Sequence, residues 1–187
     1  MRYVTLGLLS LLVIGMIGCG GKEKKVVEDR KRQLPPPGTA EKFLLKEEPK
    51  GAKDVIAVRK DAKHDDSILV VGRIGGSENP WIKDRAAFSI VDLSLKACSD
   101  IEGDNCPAPW DYCCELKKLP TSKVFVKFQD DKGKTIRWDA RTLFQVRELQ
   151  TVVVKAKAKR DKEGNLVLIG EAIFPGSTDP PKPKKKT

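Results

Sequence analysis

The sequence has little of what most enzymes use for catalysis. It contains one histidine in 187 residues, and only 6% of the residues are aromatic. A Ser-His-Asp triad would depend on His64, which lies in the polar segment KHDD, and no GxSxG motif accompanies it. No CxxC pair is present, so a thioredoxin-like mechanism has no support. These absences predict a non-catalytic protein with His64 at its surface.

The sequence also lacks an apolar run of the roughly 20 residues that a membrane-spanning helix needs. Its longest apolar stretch, residues 4–17, follows Arg2 and is typical of an export signal that is removed. The stretch ends in Met16-Ile17-Gly18-Cys19, which resembles the lipobox of bacterial lipoproteins, although that pattern prefers leucine where Met16 stands. An ordinary signal peptide with a chance cysteine is the alternative.

The lipobox resemblance implies a compartment and a partner. Residues 1–18 would be removed, and Cys19 would carry diacylglycerol and an acyl chain such as palmitate. Each buried methylene of these chains contributes about 0.8 kcal/mol, so the membrane is the expected partner. The domain would face the periplasm or the outside of the cell, anchored in the cell membrane or the outer membrane.

Charge does not favour a nucleic-acid partner. The formal net charge is +10, but more than half of this excess lies in residues 1–50 and 175–187. The remaining residues are nearly balanced, and nucleic acid is not expected in an exported compartment. A protein or glycan ligand is the expectation that remains.

Composition divides the chain into four parts. After the signal come residues 19–50, a charged and proline-containing segment with few large apolar residues to bury, which predicts a flexible linker. Residues 51–174 carry the β-rich patterns of a folded domain. Residues 175–187 form a basic tail rich in proline and lysine, predicted to be disordered.

The domain is predicted to be mainly β. Alternating or β-branched runs predict strands over residues 67–74, 86–93, 123–129, 135–138, 151–159 and 166–174. Residues 140–148 have room for a turn of helix, and residues 54–62 fit either a short helix or an extended segment. Five or six strands in about 110 residues indicate a small Greek-key barrel.

These strands carry a second resemblance. The VVGRI strand, the FSIVD strand and the closing hairpin VVVKAKAKRDKEGNLVLIGEAI resemble an oligonucleotide/oligosaccharide-binding (OB) fold. Together with the CPAPWDYCC segment, they are similar to uncharacterised exported bacterial lipoproteins that contain such a barrel. The resemblance implies an OB-like fold and an exported location, and it implies no activity.

A cysteine-rich insertion, residues 98–115, interrupts the barrel pattern. It holds every cysteine other than Cys19 together with five acidic residues, and it has no lysine or arginine. Its cysteines are Cys98, Cys106, Cys113 and Cys114. An even number of cysteines in an exported protein favours two disulfides, which would constrain a long insertion.

A metal site is the alternative for the same insertion. Four thiolates can hold zinc or copper(I), with Asp100, Asp104 and Asp111 as further ligands. The C-x7-C-x6-CC spacing differs from that of the usual paired CxxC knuckles. Trp110 and Tyr112 are expected to pack across the barrel mouth beside the cysteines.

A lysine strip lies on the predicted strand at residues 151–159. Strand alternation places Lys155, Lys157 and Lys159 on one face, opposite Val154 and its apolar neighbours. The strip is a candidate anion-binding surface for a glycan, a lipid headgroup or a nucleic acid. A solvated edge strand that its lysines protect from aggregation is the favoured interpretation.

These features predict a membrane-anchored lipoprotein whose OB-like domain is a non-catalytic binding or scaffold module without a cofactor. The alternative function is a zinc- or copper-binding protein that uses the cysteine and acid residues of the insertion.

Overall fold

The computed structural model describes residues 35–180. Nine helices and strands lie within this range: β1 (Lys53–Asp54), α1 (Val55–Asp61), β2 (Ser67–Ile74), β3 (Ala87–Val91), α2 (Leu119–Ser122), β4 (Lys123–Phe128), α3 (Ala140–Phe144), β5 (Thr151–Arg160) and β6 (Leu166–Pro175). The predicted signal peptide, Cys19 and most of the basic tail lie outside the described residues. Among the described residues, no helix is both long enough and apolar enough to cross a membrane.

The five long strands close into a barrel. They follow the order β2-β3-β4-β6-β5, and β5 pairs back with β2. The pairs are antiparallel except β4 with β6, which is parallel. The predicted mainly-β, OB-like barrel is therefore confirmed, with α3 between β4 and the last hairpin as expected.

The barrel core follows the predicted alternation of side chains. Val70 of β2 lies opposite Val154 of β5, and both are fully buried. Inside the barrel, the rings of Phe128 and Phe144 lie 4.5 Å apart, and Phe43 packs on Phe128 at 5.4 Å. Aromatic pairs of this kind add to the stabilisation that burial gives. Phe43 belongs to the segment predicted as a linker, so the packed domain begins before residue 51.

Two local predictions need revision. Residues 135–138 do not form a strand, because β4 already pairs with β3 on one side and β6 on the other. Only a single bridge joins Gln129 to Thr135. Residues 54–62 were expected to form either a short helix or an extended segment, and they contain both. Asp54 ends β1, and α1 follows with Val55 and Val58 buried.

The cysteine-rich insertion lies in the connection between β3 and β4. It contains three short 3-10 turns, Cys98–Asp100, Pro109–Asp111 and Cys113–Glu115. Tyr112 separates the last two turns with a positive φ of 60°. Asparagine, aspartate and glycine adopt this left-handed conformation most readily, so surrounding contacts must hold Tyr112 in it.

Candidate metal centre

The insertion is fixed to the barrel by buried contacts. Tyr112 is fully buried, and burial raises the pKa of its hydroxyl to about 12. The backbone oxygen of Trp110 accepts a 2.8 Å hydrogen bond from the amide of Gly76. Next to it, a Cβ atom on Gly75 would lie 2.5 Å from that oxygen and 2.9 Å from the ring of Tyr112. Only glycine permits this close approach of the insertion to the end of β2.

Tyr112 packs against the barrel more extensively than Trp110 does. Tyr112 packs in a small apolar cluster with Val91, Leu95, Ala97 and Leu119. Trp110 is half-buried, and its indole Nε1 donates to the backbone oxygen of Glu78 at 2.9 Å. The expected packing at the barrel end is thus carried mainly by Tyr112. Trp81, at the far side of the turn after β2, is also buried and donates to Glu148 at 2.5 Å.

The four cysteines of the insertion come together, but they are not bonded. Each is a free thiol. The Sγ atom of Cys113 lies 3.3 Å from that of Cys98 and 3.8 Å from that of Cys106. A disulfide has an S–S distance of about 2.05 Å. The two disulfides that the cysteine count favoured are therefore not present.

A carboxylate completes the group around Cys113. Asp111 Oδ1 lies 3.7 Å from Cys98 Sγ and 4.0 Å from Cys106 Sγ. The backbone amide of Cys113 donates to the same oxygen at 2.8 Å, which fixes the carboxylate in place. The ligand atoms of Cys98, Cys106, Asp111 and Cys113 all lie within 4.8 Å of one another. We call these four residues the primary ligand group.

The thiols hydrogen-bond to one another and to the neighbouring acids in this arrangement. Hydrogen bonding with Cys98, and secondarily with Cys106, raises the pKa of Cys113 above its usual range. A hydrogen bond to Asp104 raises the pKa of Cys114. Metal ligation requires thiolates, so a bound cation would release these protons and occupy the space between the same acceptor atoms.

Asp100 has a different role from the one the metal alternative gave it. It forms an ion pair with Arg73 of β2, with Nη1 and Oδ2 at 2.5 Å, and it also accepts from the amide of Ala97. Arg73 is only 2% exposed. A buried charge inside the GRIGG segment was not predicted, since nothing in that motif indicates which way the side chain points.

The lysine strip lies on the outer face of β5, as the alternation predicted. Lys155 pairs with Glu171 at 3.5 Å, and Lys159 pairs with Asp65. Lys157 is exposed between them. Acidic partners therefore offset part of the strip's charge, and anion binding there stays a prediction.

His64 is at the surface, where its Nδ1 lies 2.9 Å from the backbone oxygen of Arg160.

One further feature was not predicted. A groove of about 350 Å³ runs over β3 and β4. Ser89, Phe125 and Lys123 form part of its floor, and Pro80 and Asn165 lie on loops at its sides. The contributing loops follow β2 and β5, so their meeting becomes visible only once the barrel is closed.

Comparison with known protein families, curated proteins and solved structures finds no match for this chain. Function must therefore be argued from the geometry of its own residues.

Proposed function

We propose that this protein is a non-catalytic metal-binding module in which the primary ligand group holds one ion of zinc or copper(I). One observation carries the proposal. Sulfur ligands at about 2.3 Å from a tetrahedral zinc ion lie roughly 3.8 Å apart. The Sγ separations of 3.3 and 3.8 Å around Cys113 are close to this value and far from a disulfide bond length.

Ligand type favours zinc over copper(I). Copper(I) is selected by soft sulfur ligands, whereas zinc accepts thiolate and carboxylate ligands together. Asp111 Oδ1 is held by a backbone amide at a position facing two of the sulfurs. The mixed set of three thiolates and one carboxylate is therefore better suited to zinc.

The role proposed for the ion is structural. Four protein ligands close a tetrahedral zinc site, and closed sites contribute to folding rather than to catalysis. Within residues 98–115 only Cys98 and Tyr112 are buried, and the other members of the apolar cluster around Tyr112 lie outside the insertion. An ion would hold its three turns together where a larger protein would use a core.

The proposal is tested by metal-dependent unfolding of the full chain under reducing conditions. Zinc should raise the midpoint of thermal unfolding, and a chelator should reverse the effect, because the ion binds the folded state. Cys113→Ser should remove most of this dependence. Glu102→Gln, in an exposed acid of the same loop, should preserve it. A wild-type midpoint that zinc and chelator leave unchanged would refute the proposal.

The location stays part of the proposal. A lipid anchor at Cys19 would hold the domain at the cell membrane or the outer membrane and would place the site in the periplasm or outside the cell. This rests on the apolar segment and the sequence Met16-Ile17-Gly18-Cys19, which precede the described residues.

A second candidate function is the binding or scaffold role that the OB-like pattern first suggested. The groove over β3 and β4 supports it, because half-buried Phe125 lines it together with Asn165 and with Lys123, whose Nζ donates to the backbone oxygen of Gly76 at 2.8 Å. This combination suits a glycan, which stacks on aromatic rings and bonds to polar groups. Soluble peptidoglycan fragments should then shift the NMR signals of Phe125 and Lys123. Unchanged signals at saturating fragment concentration would exclude this ligand.

A further inference from the structure

The insertion contains more ligand atoms than one tetrahedral ion can use. Besides the primary ligand group, Cys98, Asp104 and Cys114 bring their ligand atoms within 4.8 Å of one another. We call these three residues the secondary ligand group. The two groups share one atom, the Sγ of Cys98.

The adjacent residues Cys113 and Cys114 belong to different groups. They are consecutive in one 3-10 turn, where successive side chains point about 120° apart. Cys113 Sγ accordingly lies by Cys98 and Cys106, whereas Cys114 Sγ lies 3.4 Å from Asp104 Oδ2. Among the described residues, no set of three or more ligand atoms within 4.8 Å of one another contains both sulfurs, which disfavours a single ion bound by both cysteines.

Asp104 is held in place in the same manner as Asp111. Its Oδ1 accepts a 2.7 Å hydrogen bond from the backbone amide of Cys106, which leaves Oδ2 directed at Cys114. Each ligand group therefore has one carboxylate whose orientation is fixed by the backbone amide two residues further along the chain. Cys98 is the only buried thiol of the four, and it lies between the two groups.

We propose that the insertion binds two zinc ions bridged by the thiolate of Cys98, and this rests on the proposed function. The first ion takes the primary ligand group. The second takes the secondary ligand group, whose three protein ligands leave one coordination position for water or for a donor atom of another molecule. On binding, all four thiols release their protons to solvent.

Charge balance identifies the ion. Four thiolates and two carboxylates carry six negative charges, and residues 98–115 include no lysine or arginine to offset them. Two divalent ions reduce this to two negative charges, whereas two copper(I) ions would leave four. The nearby Arg73 is already paired with Asp100. Zinc pairs are therefore favoured over copper(I) pairs.

The two sites should differ in affinity. The primary ligand group supplies four protein ligands, and the buried Cys98 thiol is common to both groups. The secondary ligand group supplies only three, so water takes the fourth coordination position and competes there for the ion. The second ion should exchange readily and be lost first to a weak chelator.

Native mass spectrometry of the reduced full chain, titrated with zinc alone, tests the inference. We expect two zinc ions per chain in the wild type. Asp104→Asn and Cys114→Ser should each retain one ion and weaken binding of the second at least tenfold. Glu102→Gln, a neighbouring exposed acid outside both groups, should bind two.

The outcomes separate the two proposals. No bound zinc at any concentration would refute the proposed function as a zinc site. One ion in the wild type, or two ions with unchanged affinity in Asp104→Asn and Cys114→Ser, would refute the two-ion site alone. The bridge has its own readout, since NMR of the protein loaded with enriched cadmium should give two signals coupled through Cys98. Two uncoupled signals would overturn the bridge.

Discussion

Arg73 of β2 and Asp100 of the insertion form a buried ion pair, with Nη1 and Oδ2 at 2.5 Å. Their side chains are 2% and 13% exposed. Arg73 Nε also donates to the backbone oxygen of Leu149 at 2.9 Å. The pair thus joins the barrel wall to the first turn of the insertion, two residues from Cys98.

Breaking this pair should be costly. Asp100→Ala leaves the Arg73 charge buried without its partner, which typically costs about 3–5 kcal/mol. Asp131→Ala is the control, because Asp131 is fully exposed and 3.9 Å from its partner Lys42, so its loss should leave the free energy of unfolding nearly unchanged. Urea unfolding measures both free energies. Equal effects would show that the buried pair does not anchor the insertion.

The barrel register makes a second prediction. Val154 is fully buried opposite Val70, so Val154→Asp should lower the free energy of unfolding by several kcal/mol. Lys157→Asp puts the same side chain on the outer face of the same strand and should cost less than about 1 kcal/mol. Chemical denaturation followed by circular dichroism compares them. A Val154→Asp protein as stable as the wild type would contradict the register.

Much of the barrel could be predicted from the sequence because strand alternation assigns each side chain to a face. Val154 was placed correctly in this way, on the buried face of its strand. Residues 135–138 show the limit of the approach. They form only one bridge, at Thr135, because both edges of β4 are already paired. Which strands occupy those edges depends on pairing between distant parts of the sequence.

The candidate site was predictable in its ligand types but not in its chemistry. The cysteine count and the acids pointed to the residues that the structure brings together, yet disulfides and a metal site both require the sulfurs to converge. The sulfur–sulfur distances that distinguish disulfides from a metal site depend on the positive φ of Tyr112. Contacts with the barrel, such as that with Gly75, maintain this conformation. Those contacts join residues more than 30 positions apart and leave no local pattern.

A pH dependence is expected at the start of α3. Burial opposes ionisation of Asp139, but hydrogen bonds from the side chain and amide of Arg141 outweigh it and lower the pKa of Asp139. A lowered folded-state pKa stabilises the protein above the unfolded-state pKa of about 4, and this is lost as pH falls through the folded-state value.

Asp139→Asn tests this pH dependence, since asparagine also caps helices but carries no charge. The variant should be about 0.5 kcal/mol less stable at pH 7, because water screens the half-exposed carboxylate. At pH 2 to 3 the difference should shrink towards zero. Unfolding free energies measured across this pH range would contradict the account if the difference stayed constant.

The lipid anchor makes a prediction outside the described residues. Cys19→Ser should abolish labelling with a radioactive or clickable fatty acid and should release the protein from the membrane fraction. Met16→Leu, which restores the residue that the lipobox pattern prefers, should keep both properties. Labelling that survives Cys19→Ser would show that Cys19 is not the lipidated residue.

The central claim is that Cys98, Cys106, Cys113 and Cys114 are thiolate ligands and not disulfides. Its most direct test is the mass and metal content of the full chain, isolated from its native compartment with an alkylating agent present and no reductant. The account predicts bound zinc and four cysteines in this set that alkylate once the chain is denatured with a chelator. A metal-free chain, lighter by four hydrogen atoms and with none of these cysteines alkylated, would contradict it.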